Sequence, residues 1–327
     1  MTLRTIGCLV VFTVGLCCLP CAAHAQPAAK VPRVGYLSAG VASTSLIEVF
    51  RQQLHELGYK NGQSVVIEAR WAEGQVERLP ALAAELVRLP VDVIFAGGLP
   101  PLRAAQQATS TIPIVAIDLE SDPVAMGLAA SLARPGGNIT GVFLDLPELS
   151  GKQLELLREA MPGIARVAVL WDSATALFPL RALQLAAQFL GVTLHTLEVS
   201  SLDEFTGVFD TMTQAHAEAL FVLPSPLWYH HRTRIVDLAA QQRLPVVAMY
   251  KEFVQVGALM SYGPNLEEMA RHVATYVDRI LKGARPAELL IERPTHFELI
   301  VNLKTATALG LTIPPTLLFQ AHEVIRP

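Results

Sequence analysis

The chain has 327 residues, 52% of them hydrophobic and 17% charged, with a formal net charge of −4 at pH 7. The charges are scattered and form no basic stripe, which argues against nucleic acid as a partner. This length allows one large domain or two ordinary domains, each with a core of its own.

The N-terminal segment has the pattern of a cleaved export signal. Arg4 supplies a positive charge, residues 6–19 are uncharged and mostly apolar, and residues 23–25 place alanine at both positions that a signal peptidase reads. The apolar run is shorter than the roughly 20 residues that span a bilayer. We therefore expect cleavage near Ala25-Gln26, a location in the periplasm and no stable membrane insertion after cleavage. An uncleaved anchor and a lipid attached at Cys21 are the alternatives.

All cysteines of the chain lie inside this segment: Cys8, Cys17, Cys18 and Cys21. Cleavage would leave a mature chain without a thiol, which excludes disulfides, cysteine metal ligands and a cysteine nucleophile. A chain that cannot mispair cysteines suits an oxidising compartment.

Strand-like and helix-like runs alternate four times in the first part of the mature chain. The pattern predicts strands at 31–37, 64–69, 91–96 and 112–117, and helices at 45–57, 76–89 and 101–108. Runs with little polar alternation, such as residues 93–96, are typical of strands that are buried on both faces. Together with the intervening helices they indicate a parallel, doubly wound sheet.

The segment 118–152 interrupts this alternation. A helical pattern at 124–133 is stopped by Pro135, and Gly136-Gly137 then permits a sharp turn. Beyond it the alternation repeats, with strands at 166–170, 193–199, 219–223 and 245–249 and helices at 149–161, 178–190, 202–216, 228–242 and 250–254. We interpret the segment as a crossover between two similar lobes; a surface loop within one domain is the alternative.

The remaining runs must complete two sheets. They predict strands at 258–262 and 298–301 and helices at 265–282 and 303–309. The expected architecture is α/β, with two doubly wound parallel-sheet lobes joined by a multi-strand hinge. We assign 31–142 plus 258–292 to the first lobe and 146–256 plus 296–327 to the second. The hinge would lie near 140–146, 256–258 and 292–295, with Asn138 and Gly141 as hinge residues, and would bend as a unit when the lobes close on a ligand.

Ligands of open parallel sheets bind outside the carboxyl ends of the strands, where helix N-termini and loop amides converge. Ser38, Gly97 and Gly98 would offer a hydroxyl and N–H donors to an anionic group, although ordinary turn chemistry also explains the glycines. Asp122 either caps the following helix or receives an ammonium group. Trp171 and Tyr250 could stack on a flat ligand. The candidate ligand-binding residues are Ser38, Gly97, Gly98, Asp122, Phe143, Trp171, Asp172, Ser225 and Tyr250.

Motifs of the common enzyme classes are missing. The sequence has no G-x-S-x-G elbow, no G-x-G-x-x-G after the first strand, no P-loop and no H-E-x-x-H. His230 and His231 are adjacent and point apart on a helix, whereas a zinc site needs ligands at helical spacing. We therefore expect no catalytic residues, no metal and no cofactor. An exported hydrolase remains the enzyme alternative.

Several blocks together resemble one family: SDPV at 121–124, LARPGGNITG at 132–141, LSGK at 149–152, SYGPN at 261–265 and LKTATALGLTIPP at 303–315. They are similar to the ABC-transporter substrate-binding proteins of the tryptophan/tyrosine type, over nearly the whole mature chain. The resemblance implies a type I periplasmic-binding fold with three connecting strands and a ligand held between the lobes. It also implies delivery to ABC permease and ATPase subunits, no enzymatic activity and, we expect, a monomer.

The sequence departs from the family pattern in two places. Leu99-Pro100-Pro101 follows Gly97-Gly98, where the family usually has Thr or Ser with small residues, and Asp172-Ser173 follows Trp171, where Asn-Pro is common. A lost hydroxyl and a proline without N–H would weaken an anion cradle. The expected ligand is a small organic molecule, either an aromatic amino acid or an aromatic or other organic acid, and these departures count against the amino acid. The alternative function is an extracytoplasmic subunit that presents its ligand to a membrane sensor kinase.

Overall fold

The computed structural model contains two β-sheets, each covered by helices. It describes residues 30–40, 45–119, 121–144, 148–172, 178–199 and 205–327. Residues Val31–Pro327 form one unit of contacts, and the other unit, Met1–Lys30, is described only at Lys30. The predicted export signal and its cleavage site thus lie outside the described residues.

The first sheet has five parallel strands in the order β2-β1-β3-β4-β5. Its strands and first helices are β1 (Arg33–Ser38), α1 (Ser45–Glu56), β2 (Val66–Trp71), α2 (Leu79–Arg88), β3 (Val93–Gly97), α3 (Leu99–Ala108), β4 (Ile114–Asp118) and β5 (Ile139–Phe143). Both faces of this sheet are buried. Val93 and Phe95 belong to one apolar cluster and Ile94 and Ala96 to another, because successive side chains of a strand point to opposite faces.

The second sheet has seven strands in the order β12-β11-β10-β9-β8-β6-β7. The elements of this half are α4 (Glu148–Ala160), β6 (Arg166–Trp171), α5 (Phe178–Leu190), β7 (Thr193–Glu198), α6 (Phe205–Gln214), β8 (Ala219–Val222), α7 (Pro226–Gln241), β9 (Val246–Ala248), α8 (Lys251–Gln255), β10 (Met260–Pro264), α9 (Leu266–Leu281), β11 (Phe297–Asn302), α10 (Leu303–Leu309), α11 (Pro315–Gln320) and β12 (Glu323–Ile325). All pairings are parallel except the antiparallel pair of β10 with β11. The predicted two-lobed α/β fold is confirmed.

Helix α9 lies in the chain between strands β10 and β11 of the second sheet but packs against the first sheet. It contacts α1 and strands β3, β4 and β5. Tyr59, just after α1, donates its hydroxyl hydrogen bond to Asp278 of α9 at 3.0 Å. Burial, reinforced by this carboxylate, raises the pKa of Tyr59 to about 12. The first lobe is therefore completed by a helix from late in the chain.

The assignment of residues 258–292 to the first lobe is wrong for its first part. Strand β10 lies between β9 and β11, where Met260 pairs with Val247 on one side and Val301 on the other. The predicted crossing at 256–258 is a turn after α8, closed by the Gly257 N–H donating to the Val254 carbonyl at 3.1 Å. The chain instead passes between the lobes at Asn265, because β10 completes its sheet before α9 begins.

The connection from α9 back to β11 runs along the edge of the first sheet. The Phe143 N–H donates to the Glu292 carbonyl at 2.9 Å, and the Glu292 N–H donates to the Gly141 carbonyl at 3.0 Å. Gly141 has φ of +140°, and a Cβ there would clash with the backbone of Ala116 in the neighbouring strand. A glycine is required at this point of β5. Asn138 directly precedes β5, and its side-chain amide donates hydrogen bonds to the carbonyls of Thr109 and Ile112.

Four side chains, one from the N-cap of α9 and three from α9 itself, contact the segment that returns to β11. The two segments run antiparallel. The contacts are Asn265 to Glu298 at 3.0 Å, Glu268 to His296 at 3.0 Å, His272 to Glu292 at 3.2 Å, and the Tyr276 hydroxyl to the Leu290 carbonyl at 2.5 Å. We call this set the hinge ladder. Burial, followed by the Glu292 carboxylate, raises the pKa of Tyr276 above its ordinary value. The ladder joins the two segments that pass between the lobes before and after α9. These two segments should therefore bend together.

Residues 124–133, which are all described, form turns rather than the predicted helix. Asp122 caps the first turn, since its Oδ1 accepts from the N–H groups of Val124 at 2.8 Å and Ala125 at 3.1 Å. The helix does not continue because the segment instead turns back toward Pro135, whose carbonyl accepts from the Ala130 N–H at 2.9 Å. No prediction from the sequence covered α11, which contacts α4, or β12, which forms one edge of the second sheet.

Candidate functional site

The carboxyl ends of β1, β3 and β4 form one wall of a cavity between the lobes. The switch in strand order of the first sheet lies between β1 and β3, where ligands of such sheets usually bind. The Ser38 hydroxyl accepts the Gly40 N–H at 3.1 Å. Gly98 has φ of +101° at the start of α3, and its N–H donates to the Ile117 carbonyl at 2.7 Å. The Gly98 N–H is thus already used within the lobe. Gly97 and Gly98, which have no side chains, form the centre of this wall.

The opposite wall comes from the starts of α7 and α8 in the second lobe. Helix α7 begins after Ser225, whose hydroxyl caps it by accepting the Leu227 N–H at 3.1 Å. Its first turns place Tyr229 and His230 on the cavity, and Tyr250 lies at the N-cap of α8. The rings of Tyr229 and Tyr250 meet edge to face with centroids 5.2 Å apart, an arrangement that aromatic pairs favour.

The two walls enclose a cavity of about 90 Å³ that opens to solvent. It is lined by Tyr36, Ser38, Gly40, Leu46, Gly97, Gly98, Ile117, Leu119, Tyr229, His230, Tyr250 and Leu266. Leu266 begins α9 directly after one passage between the lobes, so both lobes and a passage contribute. Tyrosine rings and aliphatic chains dominate the lining, as expected for a site that takes a flat, largely apolar molecule.

The cavity carries no fixed charge among its described lining residues, since none is Asp, Glu, Lys or Arg. Among these described lining residues, His230 is the only titratable side chain besides the tyrosines. Burial, with a smaller effect of the Arg232 guanidinium, lowers the pKa of His230, so its imidazole is neutral at neutral pH. A ligand ammonium or carboxylate in this cavity would therefore be held by hydroxyl, imidazole and backbone groups.

A buried acid–hydroxyl pair lies at the carboxyl ends of β6 and β8. Ser225 donates its hydroxyl hydrogen to Asp172 Oδ2 at 2.5 Å, and both side chains are buried. A similar pair in the first lobe joins Ser121 to Asp118, also buried. Neither pair is part of the cavity lining. These pairs hold the strand ends in place, and the Ser225 hydroxyl also caps α7.

The structure brings together four of the nine predicted ligand-binding residues: Ser38, Gly97, Gly98 and Tyr250 line the cavity. Asp172 and Ser225 lie together behind the second wall. That these six residues contact a ligand stays a prediction.

The other three predicted residues do not line the cavity. Asp122 uses its carboxylate to cap a turn. Phe143 is fully buried on the face of the first sheet that also holds Ile139. Trp171 is half-buried against the cluster that includes Val167 and Val169. Period-two alternation puts Trp171 on the same side of β6 as these two valines.

Sequence reasoning missed the aromatic lining residues Tyr36 and Tyr229, and His230. Tyr36 could have been found, because it lies two residues before Ser38 and so shares its side of β1. Tyr229 and His230 follow Pro226 in the first turns of a helix whose N-terminus faces the cavity. Their position on α7 depends on the rotation of the helix, for which the sequence carries no direct signal.

No group of three or more His, Cys, Asp or Glu side chains in the described ranges is placed to hold a metal ion. In those same ranges, each helix is too short or too polar to cross a lipid bilayer.

The chain is similar to known proteins over most of its length. The family model described as ABC transporter substrate binding protein matches residues 41–325. The tyrosine-binding protein of Clostridioides difficile strain R20291 is 24% identical over 266 residues, covering 80% of this chain and 75% of that protein.

Two solved structures share the fold. The ABC domain from Streptococcus pneumonia in complex with L-Trp has a TM-score of 0.81 at 24% identity and covers 90% of this chain and 99% of its own. A conserved domain protein from Vibrio cholerae has a TM-score of 0.82, also at 24% identity, covering 90% of this chain and all of its own.

Proposed function

Because this chain belongs to the family of ABC transporter substrate binding proteins, we propose that it is an exported receptor that delivers an aromatic amino acid, or a related aromatic acid, to an ABC importer. The observation that carries the ligand class is the uncharged cavity between the lobes, with the Tyr229–Tyr250 pair on one wall and Tyr36 on the other. Rings that meet edge to face offer faces and edges to a third ring.

The relatives support the same ligand class. One is named a tyrosine-binding protein and another was solved with L-Trp bound. Both are distant relatives, so the ligand of this chain rests on its own cavity. The departure at Leu99-Pro100-Pro101 matters less than the sequence suggests, because the preceding Gly98 N–H is bonded within its own lobe.

Binding is tested by thermal unfolding of the purified, unliganded protein. The compounds are L-tyrosine, L-tryptophan, L-phenylalanine, indole-3-acetate and 4-hydroxyphenylacetate, with L-leucine and L-glutamate as controls. A ligand at 100 times its Kd stabilises the folded state by about 2.7 kcal/mol, which raises the Tm by roughly 4 °C in a protein of this size. Stabilisation by the controls but by no aromatic compound would contradict the ligand class.

Delivery is tested separately, by uptake of the labelled ligand into cells that carry or lack the receptor. We expect uptake to depend on the receptor and to fall when Tyr250 is replaced by Leu. Binding without any effect on uptake would contradict delivery and favour the sensory alternative. The exported form is expected to be a monomer that begins at Gln26, as intact mass and light scattering would show.

A further inference from the structure

A second cavity lies in the second lobe, on the side away from the cleft. Its volume is about 570 Å³, within the range of cavities that take small organic ligands. Val246, which begins β9, and Gly257, which precedes β10, both line it, so it lies at the amino ends of these strands. The cleft lies at their carboxyl ends, because Tyr250 follows β9. The two cavities are thus at opposite edges of one sheet and share no lining residue.

The floor of this second cavity is aliphatic. It is formed by side chains that are buried in the core of the lobe: Val236, Leu244, Val246 and Val254. The described lining residues include no aromatic side chain, in contrast to the three tyrosines of the cleft. A hydrocarbon chain that covers this floor is removed from water, which favours binding.

The wall between α8 and α10 is held together by side-chain hydrogen bonds. The Asn302 amide donates to the Val254 carbonyl at 3.3 Å, and its Oδ1 accepts the Thr305 N–H at 3.0 Å. The Thr305 hydroxyl donates to the Gly257 carbonyl at 2.9 Å. These neutral groups are engaged within the lobe, so recognition of a polar ligand group falls to the charged side chains of the lining.

Three charged side chains line the cavity: the cations Arg243 and Lys304 and the acid Asp237. All three are exposed, and none of them forms a side-chain hydrogen bond or an ion pair within the described ranges. Two positive charges and one negative charge leave an excess of one positive charge, although the whole chain carries −4. A concave surface with an excess of one sign attracts ligands of the other sign.

Arg243 stands where the end of α7 would favour glycine. Its φ is +57°, its N–H donates to the Ala240 carbonyl at 3.0 Å, and the Leu244 N–H donates to the Ala239 carbonyl at 2.9 Å. Helices that end with this pair of bonds usually carry glycine at this position. An arginine there gains from the negative end of the helix dipole, and its guanidinium lies at the cavity.

We propose that this cavity is a second ligand site, which takes a small aliphatic carboxylate. Arg243 and Lys304 hold the carboxylate group, and the hydrocarbon chain lies on the aliphatic floor. Hydrogen bonds between cations and carboxylates are stronger than those between neutral groups. An amino acid with an aliphatic side chain, whose ammonium would meet Asp237, is the competing ligand; the excess of cations favours the simple carboxylate. The inference does not depend on the function of the cleft.

The first experiment is calorimetric titration of the purified protein with hexanoate, octanoate and decanoate. The comparison compounds are 1-octanol, which lacks the charge, and 2-aminooctanoate, which adds an ammonium. We expect the affinity to rise about two- to fourfold with each added CH₂, because each is buried on the floor. Octanoate should bind at least about tenfold more tightly than either comparison compound, since a hydrogen bond to a charged group is worth that much. Absence of carboxylate binding at millimolar concentration, or equal affinity for 1-octanol or 2-aminooctanoate, would overturn the proposal.

The second experiment locates the octanoate site. Arg243→Gln combined with Lys304→Gln should weaken octanoate binding at least about tenfold. Lys60→Gln combined with Arg181→Gln is the matched control, because it removes one exposed lysine and one exposed arginine outside both cavities and changes the net charge equally. It should bind octanoate as the wild type does. Equal affinities of the two double variants would overturn the proposal.

A third substitution blocks the cavity without removing a cation. Ala308 is exposed, lines the cavity and lies in α10, where glutamate is a good helix former. Ala308→Glu should keep the fold, as circular dichroism would show, and weaken octanoate binding by placing a carboxylate beside that of the ligand. Unchanged octanoate affinity would contradict the site.

Competition separates this site from the cleft. Saturating L-tyrosine should leave the Kd of octanoate unchanged, because the two cavities share no lining residue. Displacement of octanoate by L-tyrosine would place octanoate in the cleft and overturn the proposal. If the wild type binds no aromatic compound, the proposed function is refuted instead, and the variants of Arg243, Lys304 and Ala308 still decide the second site.

Discussion

Tyr229 and Tyr250 come from separate helices of the second lobe and meet at an interplanar angle of 85° where that lobe faces the first. Between α7 and α8 the chain passes through β9, so this contact forms only when the sheet places both helix starts side by side. The aromatic wall is therefore a product of the tertiary fold.

Replacement of Tyr250 by Leu should weaken binding of an aromatic ligand roughly two- to tenfold, because it removes the ring contact worth roughly 0.5–1.5 kcal/mol. Trp171→Leu is the matched comparison, since Trp171 also ends near a strand terminus but packs against the core. It should lower the free energy of unfolding and leave the Kd unchanged. Calorimetric titration and urea unfolding of both variants test this. The reverse pattern would show that the ligand lies on the Trp171 side.

Removal of the Ser225 hydroxyl should destabilise the fold. Ser225→Ala loses the helix cap of α7, worth about 1 kcal/mol, and leaves the buried Asp172 carboxylate without this donor, at a cost of about 1–3 kcal/mol. Urea unfolding measures the sum. Thr307→Ala in α10 is the control, because the exposed Thr307 hydroxyl forms a hydrogen bond only within its own helix. Equal effects of the two substitutions would contradict the structural role of the pair.

Gly141→Ala should cost about 2–4 kcal/mol, because its Cβ would meet the backbone of Ala116 and its φ is unfavourable for alanine. Gly137→Ala is the control, since a Cβ there meets nothing within 4 Å and the φ of Gly137 is not in the positive range that strains alanine. It should change stability by less than about 1 kcal/mol. Similar Tm values for the two variants would show that β5 can shift away from β4.

Stability should depend on Glu218 in the acid range. Its Oε2 accepts the N–H groups of Ala165 at 2.7 Å and Arg166 at 2.8 Å, and these bonds, with the Arg166 guanidinium, hold the pKa of Glu218 below its ordinary value. A lowered folded-state pKa means that the stabilisation is present above the unfolded pKa and is lost as the pH falls through the folded one. Glu218→Gln should therefore be less stable than wild type at pH 7, with the difference shrinking toward pH 3. A constant difference across this range would contradict the assignment.

The hinge ladder should affect closure more than folding. Glu268→Gln combined with Glu292→Gln removes the acids of its two histidine contacts. These contacts are largely exposed, so each contributes no more than about 0.2–1 kcal/mol to stability. We expect faster hydrogen exchange of residues 290–296 and weaker binding of every ligand by a similar factor. Glu155→Gln, in an exposed pair with Lys152 on α4, is the control. Altered preference among ligands would place these residues nearer the site than the structure does.

Much of the fold follows from the sequence because strands buried on both faces form unbroken apolar runs. The run at Val93–Gly97 is one such strand and lies where the pattern predicts. The position of β10 could not be predicted in the same way. Its residues fit either sheet, and only pairing with Val247 and Val301 decides between them. Sheet membership is a relation between strands, which a single run does not encode.

The site could be predicted only in part, because the sequence shows where strands end but not which side of each strand faces the cleft. Strand ends are visible in the sequence, so Ser38 and Gly97 were identified at the carboxyl ends of β1 and β3. Which side of a strand faces the cleft depends on the covering helices. Trp171 was predicted from its position at a strand end and Phe143 as an aromatic residue that could stack on a ligand, although alternation puts both on buried faces. Tyr229 required knowledge of the helix rotation.

The return of α9 to the first lobe bears on the order in which the protein can fold. A nascent chain that ends at Phe143 has all five strands of the first sheet but lacks the helix that covers α1 and part of strands β3 to β5. Its exposed apolar face disfavours early completion of that lobe. The second lobe must likewise wait for β11 and β12. Neither lobe can be completed before most of the chain has been made, so a partly synthesised chain has no finished core in either lobe.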